Sequence, residues 1–463
     1  MRVARGMSWS ALATGLRETA RRLRVDRIAS AQQASVRRAI ARWEAGAVVP
    51  DEQYRLLLAH IYARTPAGEV ALGPGSDLAE LLDAYAGYDV PQAAIDELAS
   101  TVTASVTGSG GHLLAFLNPS LRGALTAALA DPATLDSAVV DALGAASVAV
   151  DRQIGTVPFV RLHLAQAAIT EACRHLLAGP VPASVVGPLR RVAAEAFALA
   201  ARLAFETHDD GAALALYRQA VRTADPAVPE RRALIRTGQT MVTYYATGDI
   251  AAARRIAEAA VADARRGQSA LMRARAHALQ AEIAARGEPP AERQARTALH
   301  LAYHDVDRDT SGDPMPQVFS AARLHGFMGV CGIFLGESGE AERRLSAAAA
   351  ELTRPRESVQ RAIVLTDRAL ALLRTGEPGG PETAATDLHE CVTLTTATRG
   401  RVPAQRLRTA RLALRPWRTE PFVAELDDHM HTAMIGLVTC PVGSPCGGSP
   451  PSLSRVRRLV PPV

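Results

Sequence analysis

Five times between residues 207 and 394 the chain repeats one pattern: a turn bearing Gly or Asp, then a helix-forming stretch with small residues seven positions apart. The copies are THDDGAALALYRQAV (207–221), TGDIAAARRIAEAAV (247–261), ARGEPPAERQARTAL (285–299), LGESGEAERRLSAAA (335–349) and RTGEPGGPETAATDLHECVTL (374–394), the last with an insertion. Their paired small residues are Ala213 and Ala220, Ala253 and Ala260, Ala291 and Ala298, Ala341 and Ala348, and Ala384 and Cys391. Seven residues is two helical turns, so both members of a pair face one way and let a partner helix approach closely. Further helical stretches lie between the copies, at 232–245, 271–285, 321–335 and 358–374. A chain of this kind is constrained to stack antiparallel helical hairpins, each burying a face against the next.

Copy starts are 38 to 50 residues apart, longer and less regular than the roughly 34 of tetratricopeptide repeats. The region 184–415 therefore resembles a degenerate tetratricopeptide-type array, and the resemblance implies a concave inner surface for a peptide or small-molecule effector. Composition agrees with helices. Aromatic residues are only 4% of the chain, so its cores must be built from Ala, Leu, Val and Ile. Period-2 alternation bounded by turns is almost absent, and the expected fold is all-α.

All 52 Lys+Arg positions are arginine, and Asn118 is the only asparagine. Without lysine the chain has no Walker-A phosphate lysine, no pyridoxal Schiff-base lysine and no kinase strand lysine. Five scattered cysteines with no C-x-x-C spacing make neither a disulfide framework nor a zinc knuckle. Residues 1–10 contain no apolar signal region, and no run of about 20 apolar residues exists. The expected location is the cytoplasm, away from membranes.

The charge is divided unevenly. Residues 1–64 carry twelve arginines and five acids, a balance of +7; the remainder carries 40 arginines and 42 acids, a balance of −2. A basic head on a nearly neutral body points to an anionic partner for the head alone. The expected organisation is a head at 1–64, a linker and helical connecting region at 65–183, the repeats at 184–438 and a disordered Pro-, Gly- and Ser-rich tail at 439–463. Helices are expected in the connecting region at 77–85, 92–106, 120–130, 134–150 and 159–177, with a loop at 107–111.

Within the head, SVRRAIARWEAGAVVPDEQYRLLLAHIYAR (35–64) predicts two helices. Ser35 suits the N-cap of a helix over 36–45. Val36, Ile40 and Trp43 form its apolar stripe, and Arg37, Arg38, Ala41 and Arg42 take the other faces. Gly46 stops it, Pro50 turns the chain, and Asp51 and Glu52 begin the next helix, whose buried face is Tyr54, Leu57, Leu58 and Ile61. A short arginine-bearing helix held between two others is what a DNA major groove accepts.

R-W-E-x-G followed by Pro and D-x-x-Y-R is similar to the Cro/repressor-type (XRE) helix-turn-helix regulators, and more so to the actinomycete members that join this head to a tetratricopeptide-like region. The resemblance implies a helix-turn-helix head in which 36–44 is the recognition helix, with Ser35, Arg37, Arg38, Ala41 and Arg42 toward DNA. It also implies that Trp43 is core and that Glu44 holds local structure. MSWSALA (7–13) resembles the start of the preceding helix of the motif; only MRVAR stands where the family usually has one more helix, and the connection from Leu12 to Ile40 is long.

The expected function is a sequence-specific, double-stranded DNA-binding regulator, dimerising through a body that senses an effector or partner. The alternative is a helical-repeat protein- or peptide-binding scaffold with a degenerate head. No enzyme chemistry, metal or cofactor is expected. His300 and His304 precede Asp305, Asp307 and Asp309 without the H-E-x-x-H pattern, and His429 and His431 follow Asp427 and Asp428; both groups read as solvated helix faces. GSGG (108–111) lacks the context of a dinucleotide fingerprint, and no G-x-S-x-G elbow occurs.

Overall fold

A computed structural model describes residues 1–88, 90–107, 117 and 119–434. Of the expected loop at 107–111, Thr107 instead ends a helix, and 108–111 lie outside the described residues, as does the tail at 439–463. Among those described the fold is all-α, with a single isolated bridge, Arg64 to Val70, after the head.

The head comprises α1 (Trp9–Arg22), the one-turn α2 (Asp26–Ala29), α3 (Gln33–Glu44) and α4 (Glu52–Tyr62). Helix α1 packs against each of the other three. Leu12, Leu16, Ile28, Val36, Ile40 and Leu57 make its interior. The connecting region holds α5 (Asp77–Ala86), α6 (Gln92–Thr107), α7 (Pro119–Ala130), α8 (Ser137–Arg152) and α9 (Phe159–Ala178).

Five antiparallel hairpins follow: α10 (Ala183–Glu206) with α11 (Asp210–Thr223), α12 (Pro229–Thr247) with α13 (Ile250–Arg266), α14 (Ala270–Ala285) with α15 (Glu292–Val306), α16 (Ala321–Leu335) with α17 (Ser338–Glu351), and α18 (Ser358–Thr375) with α19 (Gly380–Thr398); α20 (Arg401–Ala413) then packs on α18 and α19, and α21 (Pro421–Met434) on α19. The turn chemistry explains the hairpins. Gly248 ends α12 in the left-handed conformation at φ 69°, which a side chain would resist, and Asp249 then accepts the Ala252 N–H at 2.8 Å to cap α13.

The small-residue pairs lie on the hairpin seams, and Ala213, Ala220, Ala253, Ala260, Ala341, Ala348, Ala384 and Cys391 are buried. The third copy needs a correction. Pro289 and Pro290 delay helix entry, so Ala291 is the half-buried N-cap of α15 and the seam runs through Ala295, Ala298 and Ala302 instead.

The even-numbered helices from α10 to α20 neighbour one another along the inner side of the stack. An array of this kind ordinarily leaves an open concave surface, but here the inner helices meet. Arg406 of α20 donates to the Tyr245 hydroxyl on α12 at 2.9 Å and pairs with Asp367 on α18. Its guanidinium also lies 3.5 Å from Glu282 of α14, which pairs with Arg286 at 2.7 Å. Arg286 in turn stacks over Tyr244 and Phe334. Buried charges of this density are tolerated only because each has a partner.

The head does not stand apart from the stack. One buried apolar cluster runs from Leu12 in α1 through the connecting region to Ala224 after α11 and includes Val402 of α20. Asp209 spans the junction: one oxygen caps α11 through the Ala212 N–H at 3.0 Å, and the other accepts the Arg27 N–H at the start of α2 at 2.5 Å. A single carboxylate thus satisfies two helix N-termini. Arg24 pairs with Glu171 of α9 at 2.5 Å, and the Arg24 carbonyl lies 3.2 Å from the His163 ring.

Buried His60, on α4, has an Nε2 with no hydrogen-bond partner. Burial, with Arg22 and Arg64 nearby, lowers its pKa from 6.5 to about 4. Unfolded chains therefore take up a proton on His60 as the pH falls through 6.5, whereas the folded protein does so only near 4. Stability from this group is present above pH 6.5 and is lost progressively between 6.5 and 4, by up to about 3 kcal/mol at the acid end. Buried carboxylates with raised pKa act in the opposite sense, so the comparison is between variants. Chemical denaturation across this pH range should show a shallower acid loss for His60→Gln than for the wild type; equal slopes would contradict the assignment.

Candidate functional site

Helix α3 begins earlier than the sequence implies. Its N-cap is Gln32, in extended conformation, and Ser35 lies in the first turn, where its hydroxyl accepts from Arg38 Nη2 at 3.2 Å. The longer start is held by Gln33, whose side-chain amide donates to the Ser10 carbonyl at 3.3 Å and to Thr14 Oγ1 at 3.2 Å, both on α1. At the other end the Gly46 N–H donates to the Trp43 carbonyl at 3.0 Å and the Ala47 N–H to that of Arg42 at 2.9 Å. With Gly46 at φ 68° this is a Schellman termination.

Val36 and Ile40 are fully buried against α1 and fix the rotation of α3. At 100° per residue Arg38 then points directly away from the head core, Arg42 and Ala41 lie beside it, and Arg37 and Ser35 form the flanks. Arg37, Arg38 and Arg42 are all exposed, and none pairs with a carboxylate among the described residues. Ala34, Ala41 and Ala45 leave the space between the arginines open. The head meets the body through α2 and α4, so this face of α3 stays open to solvent while the head is docked.

Three expected core residues sit further out: Ile61 is half-buried on α4, and two aromatic residues lie at the rim. Trp43 and Tyr54 are half-buried, packed edge to face with ring centroids 4.8 Å apart at the rim of the head core. On the outer side Arg27 stacks over Tyr54 and holds Asp51 at 2.9 Å, so the rim is closed by polar groups as well as by the rings. Leu57 is fully buried as expected.

Glu44 closes the far end of α3. It accepts from Arg2 Nε at 2.5 Å and Nη2 at 2.9 Å, and from Trp9 Nε1 at 2.7 Å. The Arg2 hydrogen bond, with help from Trp9, holds its carboxyl below the ordinary value. Arg2, before α1, thus braces α3 from outside, a contact that local pattern could not reveal.

Elsewhere the histidine groups are dispersed. His300 and His304 are exposed on α15, and Asp305 turns inward to Arg273 at 3.2 Å. His429 stacks on His389, with Nδ1 atoms 2.9 Å apart, while His431 is exposed. Among the described residues no three His, Cys, Asp or Glu side chains converge as a metal site would require. Among the described residues no helix is long and apolar enough to cross a membrane.

No protein-family model matches the chain, and no curated protein is detectably similar to it.

The burial order in the head sets an order of cost. Ile40→Ala should destabilise by about 2–5 kcal/mol, and Trp43→Ala by less, about 1–3 kcal/mol, because its ring is half in solvent. Urea denaturation followed by circular dichroism ranks the two. A larger loss for Trp43→Ala would contradict the rim position.

Proposed function

We propose that this protein is a sequence-specific DNA-binding regulator in which α3 enters the major groove. The observation that carries this reading is the outward face of α3, with three exposed arginines unpaired by any carboxylate among the described residues, on a helix rotationally fixed by Val36 and Ile40. Unpaired arginines on a rigid helix make bidentate contacts to guanine edges and release counterions from phosphates. The small residues between them let the helix backbone approach the groove. The basic balance of the head supports the same reading.

Docking the head on the body has a consequence for assembly. One helix with three arginines buries too little surface for useful specificity alone. We therefore propose a homodimer on a two-fold symmetric site, with half-site spacing set by the bodies because the heads are held on them. An effector acts on such a machine only through different affinities for its DNA-competent and incompetent states.

The test uses duplexes selected from a random pool by the full chain. Replacing Arg37 and Arg38 together with Ala should weaken binding by about 2–6 kcal/mol and flatten the salt dependence by about two phosphate-contact equivalents. Arg308→Ala, exposed just beyond the end of α15, should leave affinity unchanged. Mobility-shift titrations over a range of salt concentrations measure both. Unaltered affinity and slope in the double variant would overturn the assignment of α3.

A further inference from the structure

The inner side of the stack is filled, and open space lies on its outer side instead. Along α15 runs a groove of about 710 Å³, walled by Arg293, Thr297, Ala298 and Leu301 and bounded across by Gln280 of α14 and Arg265 of α13. It belongs to the third hairpin, the one whose seam departs from the repeated pattern. Arg293, Thr297 and Leu301 are four residues apart in turn and share one face of α15. Buried Ala298 and half-buried Leu301 give that face an apolar strip, with Arg293 and Thr297 exposed beside it.

The charge around the groove is one-sided. Arg265 and Arg293 are exposed, and neither pairs with a carboxylate among the described residues. The one carboxylate in the groove wall, Glu292, is held by Arg296 at 2.9 Å, and Arg296 continues to Glu337 at 2.5 Å. The two arginines stand at opposite ends. Arg293 lies in the first turn of α15, whereas Arg265 lies at the close of α13, beside the last turn of the antiparallel α15. The same proximity is felt at His277 of α14: burial lowers its pKa, and the charges of Arg265 and of Asp305, near the end of α15, act on it in opposite senses.

The spacing states what fits. Eight residues of helix separate Arg293 from Leu301, about 12 Å. An extended chain covers that length in about four residues, with positions i, i+2 and i+4 on one side. The Gln280 side-chain oxygen meets His277 Nδ1 at 3.3 Å, which leaves its amide N–H groups to donate to a passing backbone carbonyl. We propose that this groove binds an extended acidic peptide segment of a partner protein, with carboxylates at i and i+4 on the two arginines and an apolar side chain at i+2 on Ala298 and Leu301. Main-chain pairing with pockets for alternate side chains is a common mode of peptide recognition. The occupant is a separate molecule: residues 108–116 and 435–463 contain no Asp or Glu, and the second segment carries Arg455, Arg457 and Arg458. The proposal is independent of what α3 binds.

The experiment is fluorescence anisotropy of the labelled peptide Gly-Glu-Ser-Leu-Ser-Glu-Gly titrated with the full chain. Two control peptides carry Gln for both Glu, or the two Glu side by side. The spaced acidic peptide should bind saturably and more weakly as salt is raised, and both controls should bind several-fold less. Arg265→Gln and Arg293→Gln should each weaken binding about two- to fivefold, as expected of exposed ion pairs. Thr297→Glu, which sets a like charge in the groove at an exposed position, should abolish it. Arg152→Gln, exposed on α8, should change nothing. Circular dichroism should show the same fold in all four variants, since each changes an exposed side chain. The proposal is overturned if the spaced acidic peptide does not bind, if either control matches it, or if the groove variants bind as the wild type does. It is equally overturned, in favour of a second copy as occupant, if no peptide binds and the wild type sediments as a dimer that the Arg265→Gln, Arg293→Gln double variant does not form.

Discussion

A turn of three residues, Arg399–Gly400–Arg401, ties the last full repeat both to the first and to the head. Arg399 reaches Glu52 of α4. The Arg401 N–H donates to Glu206, at the end of α10, at 2.7 Å, while its guanidinium pairs with Asp210 and stacks 4.4 Å above Phe205. Burial pushes the Glu206 carboxyl up, opposed by nearby arginines and by the backbone donors of the turn. Removing a partner from such a site strands buried charge, which typically costs about 3–5 kcal/mol. The residue sustaining this geometry is itself unusual: Arg399 lies at φ 53°, a conformation that non-glycine residues adopt at a cost.

That closure explains why the inner side of the stack is filled. In an open array each hairpin depends mainly on its neighbours. Here α20 contacts α10, α12, α14 and α18 through Arg401 and Arg406, so the array is also held across its middle. With Glu282, Arg286, Asp367 and Tyr245 engaged there, the inner surface is committed to the fold itself.

The hairpins were legible because they rest on local signals. Seven-residue spacing of small side chains and Gly–Asp turns act within one helix or one turn, and four of the five seams follow the expected residues. The third departs because Pro289 and Pro290 move the helix start, displacing the seam from Ala291 to Ala295. The head was partly legible for the same reason. Val36, Ile40 and Leu57 were readable from periodicity, whereas the helix start at Gln33 depends on a hydrogen bond to α1, and Trp43 packs at the rim on Tyr54, itself covered by Arg27. Contacts such as Arg27 to Asp209 or Glu52 to Arg399 join residues far apart in the chain and have no periodic signature. The burial of Arg55 belongs with these, since an arginine in an amphipathic helix ordinarily reads as surface.

The central claim is that head and array are one body whose free face is α3. Hydrogen–deuterium exchange of the full chain tests it most directly. Amides of α4 should exchange as slowly as those of α10, and Arg401→Met should accelerate both together, with α3 no faster than the rest of the head. If α4 instead exchanges rapidly and independently of α10 in the wild type, the head is a tethered module and the account of a docked, outward-facing α3 is contradicted.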